Sequence, residues 1–211
     1  MDSNKDYFNL IITGVGGQGN VLVSQLLGQA FVSKGFFTTI GETYGASQRG
    51  GSVMSHLRLS KKKQLSPLIP KGKADILVAL EPVEALRVLT YYGNGDTVVF
   101  CNTRPIYPID VISGDEAYPD FAEIEKFLAQ LAKKIFYIPA TERAMEMGNP
   151  ILGNMIIIGA LLTAQILPLT LEEFQETLAA NFKSPRLETN LQALKEGQNL
   201  VSRAGIEPAT T

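Results

Sequence analysis

The chain has 211 residues, 45% apolar and 19% charged, the balance of one globular domain with a sizeable core. A formal net charge of −2 gives no electrostatic footprint for nucleic acid. A single cysteine, Cys101, excludes an intrachain disulfide and a cluster of iron and sulfur held by four cysteines of this chain.

Residues 1–7 are polar and charged, without the apolar stretch of a secretory signal, so a cytoplasmic protein is expected. Residues 8–13, FNLIIT, read as a buried parallel strand. The run enters Gly14-Val15-Gly16-Gly17-Gln18-Gly19, which matches G-x-G-x-x-G. Residues 20–34 then place Val23, Leu26, Leu27, Ala30 and Phe31 at helical spacing, and Lys34-Gly35 makes a helix end. Strand, glycine loop and helix follow the order of a dinucleotide-binding unit, whose N–H groups at the helix start bind anions. Gly14, Gly16, Gly17, Gln18 and Gly19 are therefore a candidate anion loop. The plainer alternative is that the glycines only permit a tight turn.

A second strand is expected over residues 36–42, with Glu42 near the place of a ribose-binding acid. No crossover helix follows. Residues 41–56, GETYGASQRGGSVMSH, pass through Tyr44, Gly45, Ser47, Gln48, Arg49, Gly50 and Gly51 into residues 52–60, SVMSHLRLS. Val53, Ser55, Leu57 and Leu59 alternate there with Met54, His56 and Arg58, which is strand periodicity. The inserted strand interrupts the repeated βαβ pattern that a complete dinucleotide site needs. Arg49, held among small residues, offers a planar five-donor fork suited to carboxylate or phosphate. An ordinary surface turn with a solvated arginine is the alternative. His56 is the one histidine; zinc needs three or four ligands, so no metal is expected, and a structural role or a partner contact fits better.

Lys61, Lys62 and Lys63 read as a solvated hairpin tip, and residues 66–73, SPLIPKGK, as a proline-rich link. Residues 74–80 give a third parallel strand, Pro82 starts a helix striped with Ala85, Leu86 and Leu89, and residues 97–101 give the next strand. Gly95-Asp96 looks like part of a thiamine diphosphate signature, but no double-asparagine partner follows. Residues 104–118 form a long loop of the kind that is functional or interfacial. A helix over 120–134, a strand over 135–138 and a brief helix capped by Thr141 and ending at Gly148 come next. Residues 151–167 are nearly all apolar but short of the roughly 20 residues a bilayer span needs, so a buried or partner-covered helix is expected and no membrane. Thr170 and Glu173 make a capping box, and Ser184-Pro185 open a helix with Leu187, Leu191 and Leu194 on one side. Residues 1–201 are then a single domain, and 202–211 a disordered tail. The element order predicts a three-layer α/β fold: a mostly parallel, Rossmann-like sheet with an inserted strand after the second strand and a helical C-terminal region.

Four segments together resemble the gamma subunit or domain of the 2-oxoacid:ferredoxin oxidoreductases, a family that includes the small subunit of indolepyruvate oxidoreductase. They are GVGGQGN at 14–20, ETYGASQRGGSVMSHLRLS at 42–60, SPLIPKGKADILVALEPVEALR at 66–87 and MGNPILGNMIIIGAL at 147–161. The resemblance implies one subunit of a multi-subunit enzyme, inactive alone, that converts a 2-oxoacid to an acyl-CoA by oxidative decarboxylation. Thiamine diphosphate, magnesium and iron–sulfur clusters would lie in other subunits, with ferredoxin as acceptor and coenzyme A as co-substrate. No cofactor is expected on this chain alone, and the isolated chain is a candidate self-dimer. The resemblance makes residues 44–51 a substrate, coenzyme A or interface loop, and Asn149 and Asn154 a second polar feature. The SQRGG form is nearer the indolepyruvate branch, while pyruvate, 2-oxoglutarate, branched-chain and aryl 2-oxoacids stay open. Two other readings compete: a free-standing nucleotide-binding Rossmann-like oxidoreductase, and a non-catalytic assembly subunit.

Overall fold

A computed structural model describes residues 6–44 and 51–203. Its centre is a six-stranded sheet: β1 (Tyr7–Val15), β2 (Phe37–Tyr44), β3 (Ser52–Ser60), β4 (Ile76–Ala79), β5 (Val98–Asn102) and β6 (Lys134–Ile138), in the order β2-β3-β1-β4-β5-β6. The β1, β4, β5 and β6 strands are mutually parallel, as their short, continuous apolar runs require. The inserted strand β3 is antiparallel to both its neighbours and lies between β1 and β2, which pushes β2 to the sheet edge.

Helices cover both faces. On one, α1 (Asn20–Ser33) and α6 (Gly153–Thr163) pack on Leu10, Ile12, Leu57, Val78 and Phe100, and α7 (Leu171–Asn181) and α8 (Arg186–Arg203) pack on those helices. On the other, α2 (Pro82–Tyr92) and α4 (Phe121–Leu131) pack on Ile11, Met54, Leu77 and Val99. Two short helices, α3 (Ile109–Ser113) and α5 (Ala140–Glu146), stand on the connections after β5 and β6.

Strand β3 is buried on both faces, although its sequence alternates. The proline-rich link explains this. The Arg58 guanidinium donates to the Ser66 carbonyl at 3.0 Å and the Leu68 carbonyl at 3.3 Å, and His56 Nδ1 accepts the Ile69 N–H at 3.3 Å. The link is thus fastened over the more polar side of the strand.

Helix α6 is buried along its length up to Leu162, with its cover supplied by this chain's own α8 rather than by a partner. Two glycines let the backbones cross closely. A Cβ on Gly159 would lie 2.2 Å from the Leu194 carbonyl oxygen, and one on Gly197 would lie 1.9 Å from that of Ile156. The apolar run is divided: a single 3-10 turn spans Pro150–Leu152, α6 stops at Thr163, and Gln165 has φ 53°. No helix among the described residues is long and apolar enough to cross a membrane.

Other expectations shift locally. The loop over 104–118 contains α3. Thr141 lies inside α5 rather than capping it, its N–H and hydroxyl being bonded to Asn102. The three lysines are exposed but form no hairpin tip, because β1 separates β3 from β4. Ser202 and Arg203 end α8; the rest of the expected tail, residues 204–211, lies outside the described residues.

Candidate functional site

At β1 the chain turns into α1 on one face, and at β4 it turns into α2 on the other. The crevice beyond the carboxyl ends of such diverging parallel strands is where α/β sheets bind ligands. A cleft of about 440 Å³ occupies that place here. Gly17 and Gln18 border it from the glycine turn, Leu80 from the end of β4, Asn102, Arg104 and Ile106 from the end of β5, and Thr141 and Met145 from α5. Asn149, Pro150 and Ile151 close it from the 3-10 turn before α6, and Gly153 and Asn154 from the first turn of α6.

The glycine turn is held from inside. Gln18 folds back so that its Oε1 accepts the Val15 N–H at 2.7 Å and its Nε2 donates to the Leu80 carbonyl at 2.8 Å. A Cβ at Gly14 would strike that Gln18 Oε1 at 2.5 Å. Gly17 and Gly19 have φ of 104° and 85°, the left-handed region that favours glycine. The Asn154 amide donates to the Gln18 carbonyl at 3.3 Å. The glycine turn and the second polar feature therefore meet at one wall, with Asn149 beside them, its Oδ1 capping the Ile151 N–H at 3.1 Å.

The two glycine segments also join: Gly16 N–H donates to the Gly51 carbonyl at 2.9 Å. Tyr44 ends β2 at this edge, and Ser52 begins β3 there. The Tyr44 side chain and Gly45, Ser47, Gln48, Arg49 and Gly50 lie outside the described residues. The root of that loop is pinned by Ser52, whose hydroxyl donates to Glu84 at 2.6 Å, and Arg87 donates to the same carboxylate at 2.5 Å.

The ribose-binding acid of a dinucleotide fold is already in use. Glu42 accepts from Ser24 at 2.9 Å and from Ser55 at 2.6 Å. Strand β3 also sets β2 one further strand away from β1, about 4.8 Å. Both facts work against a free-standing dinucleotide enzyme.

Sequence reasoning missed Arg104, Asn102 and Glu81. Asn102 is a spacer with every amide group used: it donates to Leu80 and Thr141 and accepts from Thr141 N–H. Arg104 is the cation of the cleft wall, 3.8 Å from Glu142 Oε1, too long to use up its donors. Glu81 is buried at the end of β4; it caps α2 through Glu84 N–H at 2.8 Å, accepts from the Tyr118 hydroxyl, and accepts the Ile106 N–H at 3.4 Å. Burial pushes its carboxyl above the usual range, while the Tyr118, Glu84 and Ile106 bonds pull it down. The signal available in advance was Glu81-Pro82, readable as a helix start but not as a loop anchor. Cys101 is fully buried and its thiol is pushed up by burial, so it stays protonated and unreactive.

An α/β sheet with a cleft at its switch point is an arrangement many ligand-binding domains share, and comparison with known proteins gives the family. The chain belongs to the pyruvate ferredoxin/flavodoxin oxidoreductase family, whose model matches residues 9–200. It is 37% identical over 191 residues to indolepyruvate oxidoreductase subunit IorB of Archaeoglobus fulgidus, covering 90% of this chain and 94% of that one. It is 27% identical over 188 residues to ketoisovalerate oxidoreductase subunit VorA of Methanothermobacter marburgensis, covering 88% of this chain but 35% of that one. Its fold matches the structure of a 2-oxoglutarate:ferredoxin oxidoreductase from Magnetococcus marinus with 2-oxoglutarate, coenzyme A and succinyl-CoA bound, with a TM-score of 0.73 and 21% identity. That match covers 98% of this chain and 32% of the other.

Proposed function

We propose that the chain is the small, gamma-type subunit of a cytoplasmic 2-oxoacid oxidoreductase complex and turns over substrate only inside it. The observation that carries this reading is the near end-to-end likeness to IorB. In the proposed complex a 2-oxoacid is oxidatively decarboxylated to an acyl-CoA. Partner chains hold thiamine diphosphate, magnesium and the iron–sulfur clusters, and pass electrons to ferredoxin. The burial of this chain's one cysteine, Cys101, supports placing the clusters on the partner chains. The identities, 37% to IorB against 27% to VorA, favour an aryl 2-oxoacid.

The chain contributes the edge of its sheet. In this reading Arg49, in the loop of Tyr44, Gly45, Ser47, Gln48, Gly50 and Gly51, binds a carboxylate or phosphate of substrate or coenzyme A at the composite site. The cleft beside it receives another part of coenzyme A. Its donor set fits: Arg104 for an anionic group, amides at Asn149 and Asn154, and an apolar wall of Leu80, Ile106, Met145 and Ile151 for an uncharged arm.

The test is steady-state kinetics of the reconstituted complex with Arg49→Ala. Losing a bond to a charged group costs about 1.5–3 kcal/mol, so KM for coenzyme A or the 2-oxoacid should rise roughly ten- to a hundredfold. The melting temperature of the free variant should not move. Unchanged kinetics with unchanged assembly would contradict the assignment.

A further inference from the structure

Helix α3 has no buried residue. Ile109 and Ile112 are 77% and 71% exposed, and Tyr107 beside them is 51% exposed. A helix this short gains little from its own hydrogen bonds and normally relies on packing an apolar face. This one is ordered from its ends instead. The Val111 and Ile112 N–H groups donate to the Pro108 carbonyl at 3.1 Å, and Gly114, with φ 88°, turns the chain so that its N–H reaches the Val111 carbonyl at 3.2 Å. The flanks are staked to the body at Thr103 N–H to the Ile138 carbonyl, 3.1 Å, and at Glu81, which takes both Ile106 N–H and the Tyr118 hydroxyl. Tyr107 meets Tyr118 edge-to-face at 5.1 Å. The result is a fixed platform that lifts isoleucines into solvent.

An exposed apolar patch on a rigid mount marks an interaction surface. This one continues the cleft wall, because Ile106 belongs to both. Its border is acidic: Asp110, Asp115 and Glu116 are exposed, the last two held at the helix by the Asp110 carbonyl, and Arg104 is the one basic residue between positions 103 and 123. A second copy on a two-fold axis would set these acids against themselves, which like-charge repulsion opposes. A different chain with basic residues around an apolar patch is complementary in both respects. In VorA the region similar to this chain is 35% of a longer protein, so there the unit is joined to further protein.

We infer that residues 106–113 are the docking surface for the partner chain of the complex, and that the partner meets them with an apolar patch bordered by lysines or arginines. The inference rests on the subunit reading and names the face that reading leaves open. Glu81 acts through the loop as the positioning residue of this surface.

The experiment titrates the full chain onto the purified thiamine-binding subunit by calorimetry, as wild type, Ile109→Ser/Ile112→Ser and Asp115→Lys/Glu116→Lys. Both variants should weaken binding about tenfold or more while leaving the free chain's melting temperature unchanged. The charge-reversed variant should also flatten the salt dependence. Wild-type affinity in the isoleucine variant overturns the inference, and so does a large fall in its melting temperature. Sedimentation of the free chain supplies the other arm: a wild-type dimer that the isoleucine variant breaks would give the face to a second copy and overturn the proposal. If wild type fails to bind the thiamine-binding subunit at all, the subunit reading itself fails, a result distinct from equal binding by wild type and variants.

Discussion

His56 is fully buried on β3, its Nδ1 accepting from the Ile69 N–H and its ring lying edge-to-face with Tyr92 at 5.1 Å. Its Nε2 has no hydrogen-bond partner among the described residues. Burial, reinforced by the Arg58 charge, lowers its pKa to about 4 from an ordinary value of 6.5. The folded state therefore keeps the ring neutral where the unfolded chain already binds a proton. Stability from this group is present above the unfolded pKa and is lost as pH falls from about 6.5 towards 4. Between pH 7 and pH 5 the loss amounts to about 2 kcal/mol. Urea unfolding at the two pH values should show it, and His56→Gln should remove that share of the pH dependence; an equal slope in the variant would refute the assignment. The sequence shows His56 on the more polar side of a strand. It does not show that Arg58 and His56 fasten residues 66–69 over that side. Gln18 is similar: its place in G-x-G-x-x-G was legible, but its return onto Val15 and Leu80 depends on β4, more than sixty residues away.

At the scale of elements, periodicity and capping were informative where contacts are local. Strand β3 and the Thr170–Glu173 capping box were readable within their own few residues. Strand order was not, because register between β3, β1 and β2 depends on long-range pairing. Nor was the cover of α6, since an all-apolar helix shows no preferred face. The closely approaching glycines on α6 and α8 identify that cover and can be tested. Gly197→Ala puts a methyl where only backbone fits, so the two helices must separate. Overpacking of this kind costs about 1–3 kcal/mol, and each kcal/mol lowers Tm by roughly 2–4 °C in a domain this size. Gly95→Ala, with open space around its Cβ, is the control and should leave the thermal melt nearly unchanged. Equal melts for the two variants would mean that α8 does not press on α6 in this way.

Across the whole molecule, the candidate groups converge on the carboxyl edge of the sheet. The glycine turn, Gly51 at the root of the Arg49 loop, Asn149 and Asn154, the Arg104 cation and the exposed α3 all lie around one cleft or beside it. The sequence motifs marked three of these groups; Arg104 and α3 stood in what read as an irregular loop, with no periodic signal to single them out. In the proposed reading, the described groups at this edge bind and position rather than form a complete catalytic set. That is the form expected of a chain that completes another protein's active site. The most direct measurement is 2-oxoacid-dependent reduction of a viologen dye, with thiamine diphosphate, magnesium and coenzyme A supplied. It is made on this chain alone, on its thiamine- and cluster-bearing partner alone, and on the two mixed. The account predicts no turnover by the chain alone and coenzyme A-dependent turnover that rises with added chain to saturation at a fixed ratio. Turnover by the isolated chain at the rate of the mixture, or a partner whose activity this chain leaves unchanged, would contradict it.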